Sequence, residues 1–299
     1  MAKTASQSTA SKTGPKKTPV KKPSAAKKGI AKSTAKTTSA KSKKKPTLID
    51  LARQMHHEGQ LEKAWAYYQD VLKIEPDHFL SMHNMGLIAV QMKSYQMAID
   101  LFRMAAAIEP TDPKVQNNIA NAYLSLGKNA LALEHYDLAL SLDSHYLDAL
   151  KNRGILLAGI AQHQKALLDF QKALMLFPNH YELYSDMASV FIAEGRYLEA
   201  LHQYETAIKH VPNSPALNNN LGVLLCALKR YEDALGYFAH AIKMKPTYAE
   251  AFNNRAVAYL NLMQYAQAKA DYEKALFLNP SYSDAITGLS KVNALLAKR

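Results

Sequence analysis

AEAFNNRAVAYLNLMQYAQAKADYEKALFLNPSY, residues 249–282, decides how the rest of the chain is read. Ala256, Ala268, Tyr272, Ala275 and Pro280 stand out in it, small residues alternating with a large ring and a proline near the end. Counting back from Ala268 in steps of 34 gives Ala234, Ala200, Ala166, Ala132, Ala98 and Ala64, without an insertion. Four residues after each comes Tyr68, Phe102, Tyr136, Phe170, Tyr204, Phe238 or Tyr272. Three further on stand Ala105, Ala139, Ala173, Ala207, Ala241 and Ala275, with Val71 the exception. Pro76, Pro110, Pro178, Pro212, Pro246 and Pro280 follow in six units, and Ser144 replaces the proline in the third. Upstream lies a position that accepts only a small side chain: Ala52, Gly86, Ala120, Gly154, Ala188, Gly222 and Ala256. A fixed period of this kind is the signature of a stacked array. Small residues let two helices approach, the aromatic fills the gap between them, and proline stops the second helix.

The pattern resembles the tetratricopeptide repeat family over residues 45–282. The resemblance implies an all-α fold, an α-α superhelix (solenoid) of seven helix-turn-helix units at about 45–78, 79–112, 113–146, 147–180, 181–214, 215–248 and 249–282. The repeat domain is set at 47–282, and residues 283–299 are expected to form a C-terminal capping helix.

ALNNNLGVLL, residues 216–225, places three asparagines in an otherwise apolar helix. Asn is a poor helix former because its amide competes for backbone hydrogen bonds, so three cost about 1–2 kcal/mol. Numbering each unit from its first residue, position 6 reads Asp50, Asn84, Asn118, Asn152, Asp186, Asn220 and Asn254. In the family the first helices line a concave groove, and this ladder is similar to that of the superhelical repeat region of O-linked N-acetylglucosamine transferases, where such asparagines contact peptide backbone. The resemblance implies that Asn84, Asn118, Asn152, Asn220 and Asn254, flanked by Asn121 and Asn219, grip an extended peptide, since an amide donates and accepts at once. The alternative is that the same amides satisfy polar groups between neighbouring first helices. Leu87, Ile155, Val223 and Val257 at position 9, with Asn121 and Ser189 between them, offer an apolar wall. The expected ligand is therefore extended, partly hydrophobic and not strongly acidic.

Arg153 and Arg255 alone occupy position 7 as cations, and the same two units alone carry Asp at position 23, Asp169 and Asp271. A half-buried guanidinium needs a partner, which predicts an Arg–Asp pair between the helices of each unit. Chaperone-binding members of the family use a two-carboxylate clamp, with Lys at position 5 and Asn at position 9 of one unit and Arg at position 6 two units on. Here Lys151 is followed by Ile155, Asn121 is preceded by Asn117, and no position 6 is Arg, so the clamp is absent.

No phosphate-cradling glycine loop, H-E-x-x-H or G-x-S-x-G occurs, and the chain is read as non-catalytic, without cofactor or metal. His56, His57 and His83 sit near the groove without carboxylates at matching spacing. The single Cys226 excludes an internal disulfide and is read as a small core or groove-wall residue.

The charge is divided. Residues 1–46 hold 14 lysines and no acid or aromatic, which leaves 23 basic against 25 acidic residues in the remainder. This Lys/Ala/Ser/Thr/Pro-rich tail is expected to be disordered and resembles those of linker histones and lysine-rich nucleoid proteins in composition. Lys16, Lys17, Lys21, Lys22, Lys27, Lys28, Lys43, Lys44 and Lys45 are the candidate contacts to nucleic acid or another polyanion. A solubilising tether, or an import signal around Lys41–Lys45, is the alternative. No run approaches the roughly 18 apolar residues of a membrane span, and no secretory leader is seen. The chain is expected in the cytoplasm, with nucleoid or nuclear association as the alternative. Its expected role is a protein–protein scaffold binding an extended partner segment. The alternatives are a nucleic-acid-associated protein anchored by its tail, or an accessory subunit of a glycosylation or other multiprotein system.

Overall fold

The computed structural model describes residues 47–298, which fall within one compact unit, Pro46–Arg299. The tail expected over residues 1–46, with its candidate lysines, lies outside the described residues. Among the described residues there are fifteen α-helices and no strand. Seven hairpins follow one another: α1 Leu48–His57 with α2 Leu61–Ile74, α3 Phe79–Gln91 with α4 Tyr95–Ile108, α5 Pro113–Ser125 with α6 Asn129–Leu142, and α7 Leu147–Gly159 with α8 His163–Leu176. The series continues with α9 Glu182–Ala193 and α10 Tyr197–His210, α11 Pro215–Ala227 and α12 Tyr231–Met244, and α13 Ala249–Asn261 and α14 Tyr265–Leu278, closed by α15 Ser283–Leu296.

Local chemistry starts and stops these helices. Thr47 and Asp50 form a capping box at α1, Asp112 and Ser214 cap α5 and α11, and Pro113 and Pro215 occupy the first turns behind them. The turn inside every hairpin passes through one left-handed residue, Gly59, Gly127 and Gly195 in three units and Lys93, Ala161, Lys229 and Met263 in the others. Residues with a Cβ are strained there. The third unit shows that proline is not required to end a second helix. α6 stops at Leu142, and Asp143 Oδ1 accepts from the His145 N–H at 2.9 Å to close the turn.

The core runs between the two helical layers. The seven alanines from Ala64 to Ala268 are 0% exposed, and each aromatic four residues on is at most 3% exposed. The small position is matched to the ring. Where the ring is Phe102, Phe170 or Phe238 the residue opposite is Gly86, Gly154 or Gly222, and a Cβ there would lie 2.5–2.6 Å from a ring carbon. Where the ring is tyrosine, the position holds alanine. Across units α5 approaches α7, α7 approaches α9, α11 approaches α13 and α13 approaches α15, so the odd-numbered helices form the inner layer of the superhelix.

Candidate functional site

The inner face is built from positions 5, 6, 9 and 12 of the odd-numbered helices. Its position 6 residues do not share one role. Asp50 is spent on the α1 cap, where its carboxylate accepts from the Thr47 hydroxyl at 2.6 Å and from Thr47 N at 3.0 Å, and those bonds hold it below the usual carboxylate range. Asn118 Nδ2 lies 3.0 Å from His83 Nε2, which accepts when the neutral ring carries its proton on Nδ1, and burial lowers the His83 pKa to favour the neutral ring. Asn152 Nδ2 donates to Asn117 Oδ1 at 3.1 Å and to Asn121 Oδ1 at 3.3 Å. Asn254 Nδ2 donates to Asn219 Oδ1 at 3.0 Å. In each case position 6 reaches position 5 of the preceding unit, 35 residues back. The donor halves of Asn118, Asn152 and Asn254 thus tie units together.

Asn84 and Asn220 differ. Neither amide has a side-chain hydrogen bond among the described residues; Asn84 is half-buried and Asn220 is exposed. Two residues expected to contact a ligand have polar groups taken up by neighbours. Asn219 is 0% exposed, and its amide is spent on Glu250 Oε1 at 3.1 Å and on Asn254, so it is a spacer between units and not a ligand contact. The Asn121 carbonyl is saturated by Asn152 Nδ2 and by the Tyr136 hydroxyl, which donates to it. Asn218, its Nδ2 donating to the Pro212 and Ser214 carbonyls, anchors the start of α11. Of the three consecutive asparagines only Asn220 faces outward.

The apolar wall is exposed. Ile155 is 44%, Val223 45%, Val257 37% and Leu124 36% accessible. Cys226 beside them is half-buried, and burial pushes its thiol up to about 11, so it is a protonated wall residue at neutral pH. Among the described residues no group of three or more His, Cys, Asp or Glu is arranged to hold a metal ion.

Two ion pairs brace the layers behind this face. Arg153 donates from Nε to Asp169 Oδ2 at 2.8 Å and from Nη2 to Oδ1 at 2.6 Å, and Arg255 repeats the fork on Asp271 at 2.6 and 2.8 Å. These charge-assisted bonds hold both guanidinium pKa values above the usual range. Sequence reasoning missed a third member. Arg153 Nη1 also donates to Asp137 Oδ1 at 2.6 Å, joining α7 to α6 of the preceding unit. Asp137 lies 16 residues before Arg153 as Asp169 lies 16 after, whereas Ala239 fills the equivalent place before Arg255.

Models of the tetratricopeptide repeat match residues 113–146, 185–249 and 249–282. The chain carries tetratricopeptide repeats. A solved tetratricopeptide repeat protein from Parabacteroides merdae superposes with a TM-score of 0.65 at 20% identity, over 82% of this chain and 97% of that one. Yeast Tom70 gives 0.61 at 17% identity, over 79% of this chain and 52% of that one. Among curated relatives, human tetratricopeptide repeat protein 7B is 30% identical over 86 residues, covering 29% of this chain and 10% of its own length. A fission yeast DnaJ homolog subfamily C member 7 homolog is 28% identical over 138 residues, covering 41% of this chain and 29% of its own. The chain therefore spans less than a third of either relative. Among the described residues no helix of this repeat array is long and apolar enough to cross a membrane.

Proposed function

We propose that the chain is a non-catalytic scaffold whose inner face holds an extended segment of a protein partner. One observation carries this reading: aliphatic side chains at position 9, Ile155, Val223 and Val257, stand 37–45% exposed along the same face as the unengaged amides of Asn84 and Asn220. Covering such side chains is favourable at about 25 cal/mol per Å², and an unengaged amide can satisfy the backbone of whatever covers them. Stacked repeats are built to present an extended concave surface of this kind. The roles of Asn118 and Asn152 narrow accordingly to their carbonyl oxygens, the Asn254 carbonyl already accepts from Asn253 Nδ2 at 3.3 Å, and Asn84 and Asn220 remain as full donors and acceptors.

A random-decapeptide display library panned against the full chain tests the reading. Peptides enriched by the native protein should be lost by the triple variant Ile155→Asp, Val223→Asp, Val257→Asp, whose exposed sites leave the helical circular dichroism intact. Equal enrichment by the variant would remove the groove from consideration.

A second reading rests on the charge division, +14 over residues 1–46 against −2 over the rest. The tail supplies sequence-independent affinity for nucleic acid while the repeats recruit a protein. Duplex DNA binding should then fall steeply between about 50 and 200 mM salt; a flat salt dependence would exclude it.

A further inference from the structure

The inter-unit tie between positions 5 and 6 is missing at three joints, Ile49–Asn84, Lys151–Asp186 and Ser185–Asn220, and at the last of these a cavity opens. His83 to Asn118, Asn117 to Asn152 and Asn219 to Asn254 each bridge positions 5 and 6 of successive units. At Ser185 and Asn220 no bond forms, and the serine hydroxyl is one atom shorter in reach than an asparagine amide. In place of the tie a cavity of about 380 Å³ lies between the starts of α9 and α11, lined by Tyr181, Glu182, Ser185, Asp186, Leu217 and Asn220. Tyr181 is held by a parallel stack on His210 at 4.3 Å. On the other side of Asp186 lies a smaller cup of about 220 Å³, whose walls include Ile155, Ala158, Gly159 and Val190.

Asp186 Oδ2 is buried and has no hydrogen-bond partner. Lys151 attracts Asp186 through space but places its ammonium 3.4 Å from Glu182. A carboxylate oxygen in that state is costly, and most other units avoid the cost with asparagine at the same position. Burial raises the Asp186 pKa, the mark of a charge short of solvation.

We propose that this joint takes a lysine or arginine side chain of the bound segment, its cationic end on Asp186 and an adjacent aliphatic residue in the cup beside Ile155. The inference rests on the groove reading above and names its specificity. A cation supplies the donors that Asp186 lacks, with Glu182 as a second acceptor at the mouth; a neutral side chain leaves the carboxylate unpaired, and an acidic one repels it.

The test is an array of immobilised decapeptides with a central Lys, Arg, Gln or Glu flanked by Leu and Ser, probed with the full chain. Lys and Arg peptides should bind about ten- to a hundredfold more tightly than Gln peptides. Attraction to the lysine-rich tail would favour Glu peptides, so it cannot imitate this order. Asp186→Asn should abolish the preference while leaving Gln-peptide binding intact, and Asp50→Asn, which changes the capping carboxylate at the same position, should leave it unaltered. Binding without regard to the central residue, or a preference that survives Asp186→Asn, would overturn the cation site and leave the groove standing. Binding of no peptide would overturn both.

Discussion

The joint between the third and fourth units and the joint between the fifth and sixth use the same positions and end differently. At the first, Asn152 donates to Asn117 and Asn121, and Arg153 reaches Asp137, so polar groups of one unit are satisfied by those of the last. At the second, Ser185 and Asn220 leave their groups apart, a cavity opens, and the buried Asp186 oxygen has no partner. The difference teaches that a polar ladder inside a superhelix is a divided resource. Rungs that bond to each other hold the stack together and are closed to a ligand, and rungs that do not are available at some cost in stability.

The comparison breaks most visibly at Arg153. Asp169→Ala removes the forked partner of a guanidinium whose side chain is only 24% exposed, and should cost about 3 kcal/mol in urea unfolding. Strict additivity in a double-mutant cycle with Arg153→Met would show that the pair is not coupled. Next, Asn152→Ala should cost about 1–2 kcal/mol, whereas Asn220→Ala, at the equivalent position of the open joint, should stay within about 0.5 kcal/mol. Equal losses would erase the distinction between closed and open rungs.

Two changes at the open joint should raise stability. Ser185→Asn supplies the missing acceptor for Asn220 and should gain about 1 kcal/mol while weakening cationic peptides; an unaltered unfolding midpoint would mean that side-chain length is not what keeps the joint open. Asp186→Asn should gain about 1 kcal/mol at neutral pH with a definite pH dependence. Because the folded-state pKa of Asp186 is raised, the native chain takes up its proton before the unfolded chain does as pH falls, and the wild type gains stability over that interval. The advantage of the variant should therefore shrink between the raised pKa and the ordinary value near 3.8, as urea midpoints across acidic pH would show. The last expected gain belongs to neither joint. Ala161→Gly at φ 59° should gain about 0.5–1 kcal/mol by relieving the left-handed turn of the fourth unit.

Most of the fold was legible because it depends on residue size at a fixed period, which a sequence displays directly. Alanine, ring, alanine and the small residue opposite recur at 34 whatever lies between them. The co-occurrence of Arg at position 7 with Asp at position 23 was legible for the same reason, since partners 16 residues apart share one hairpin. The site was less so, because its roles depend on contacts between units. Asn219 is taken up entirely by Glu250 and Asn254, and the Asn121 carbonyl by Tyr136 and Asn152, contacts that no property of either residue announces. The relevant spacing was 35 and not 34, from position 5 of one unit to position 6 of the next, and position 5 varies among Ile49, His83, Asn117, Lys151, Ser185, Asn219 and Asn253. A variable partner at an offset register carries no periodic signal.

The pairing of glycine with phenylalanine and of alanine with tyrosine also bears on how such an array can be rearranged in heredity. Each first helix is cut to the ring of its own second helix, so an exchange of DNA between repeats keeps this fit at a unit boundary and breaks it at the turn within a hairpin. Joining α5 to α4 would drive the Ala120 methyl into Phe102, and joining α3 to α6 would set Gly86 where the Tyr136 unit has a methyl group. The inheritable module is the whole hairpin, and its seam is the loop that follows the second helix.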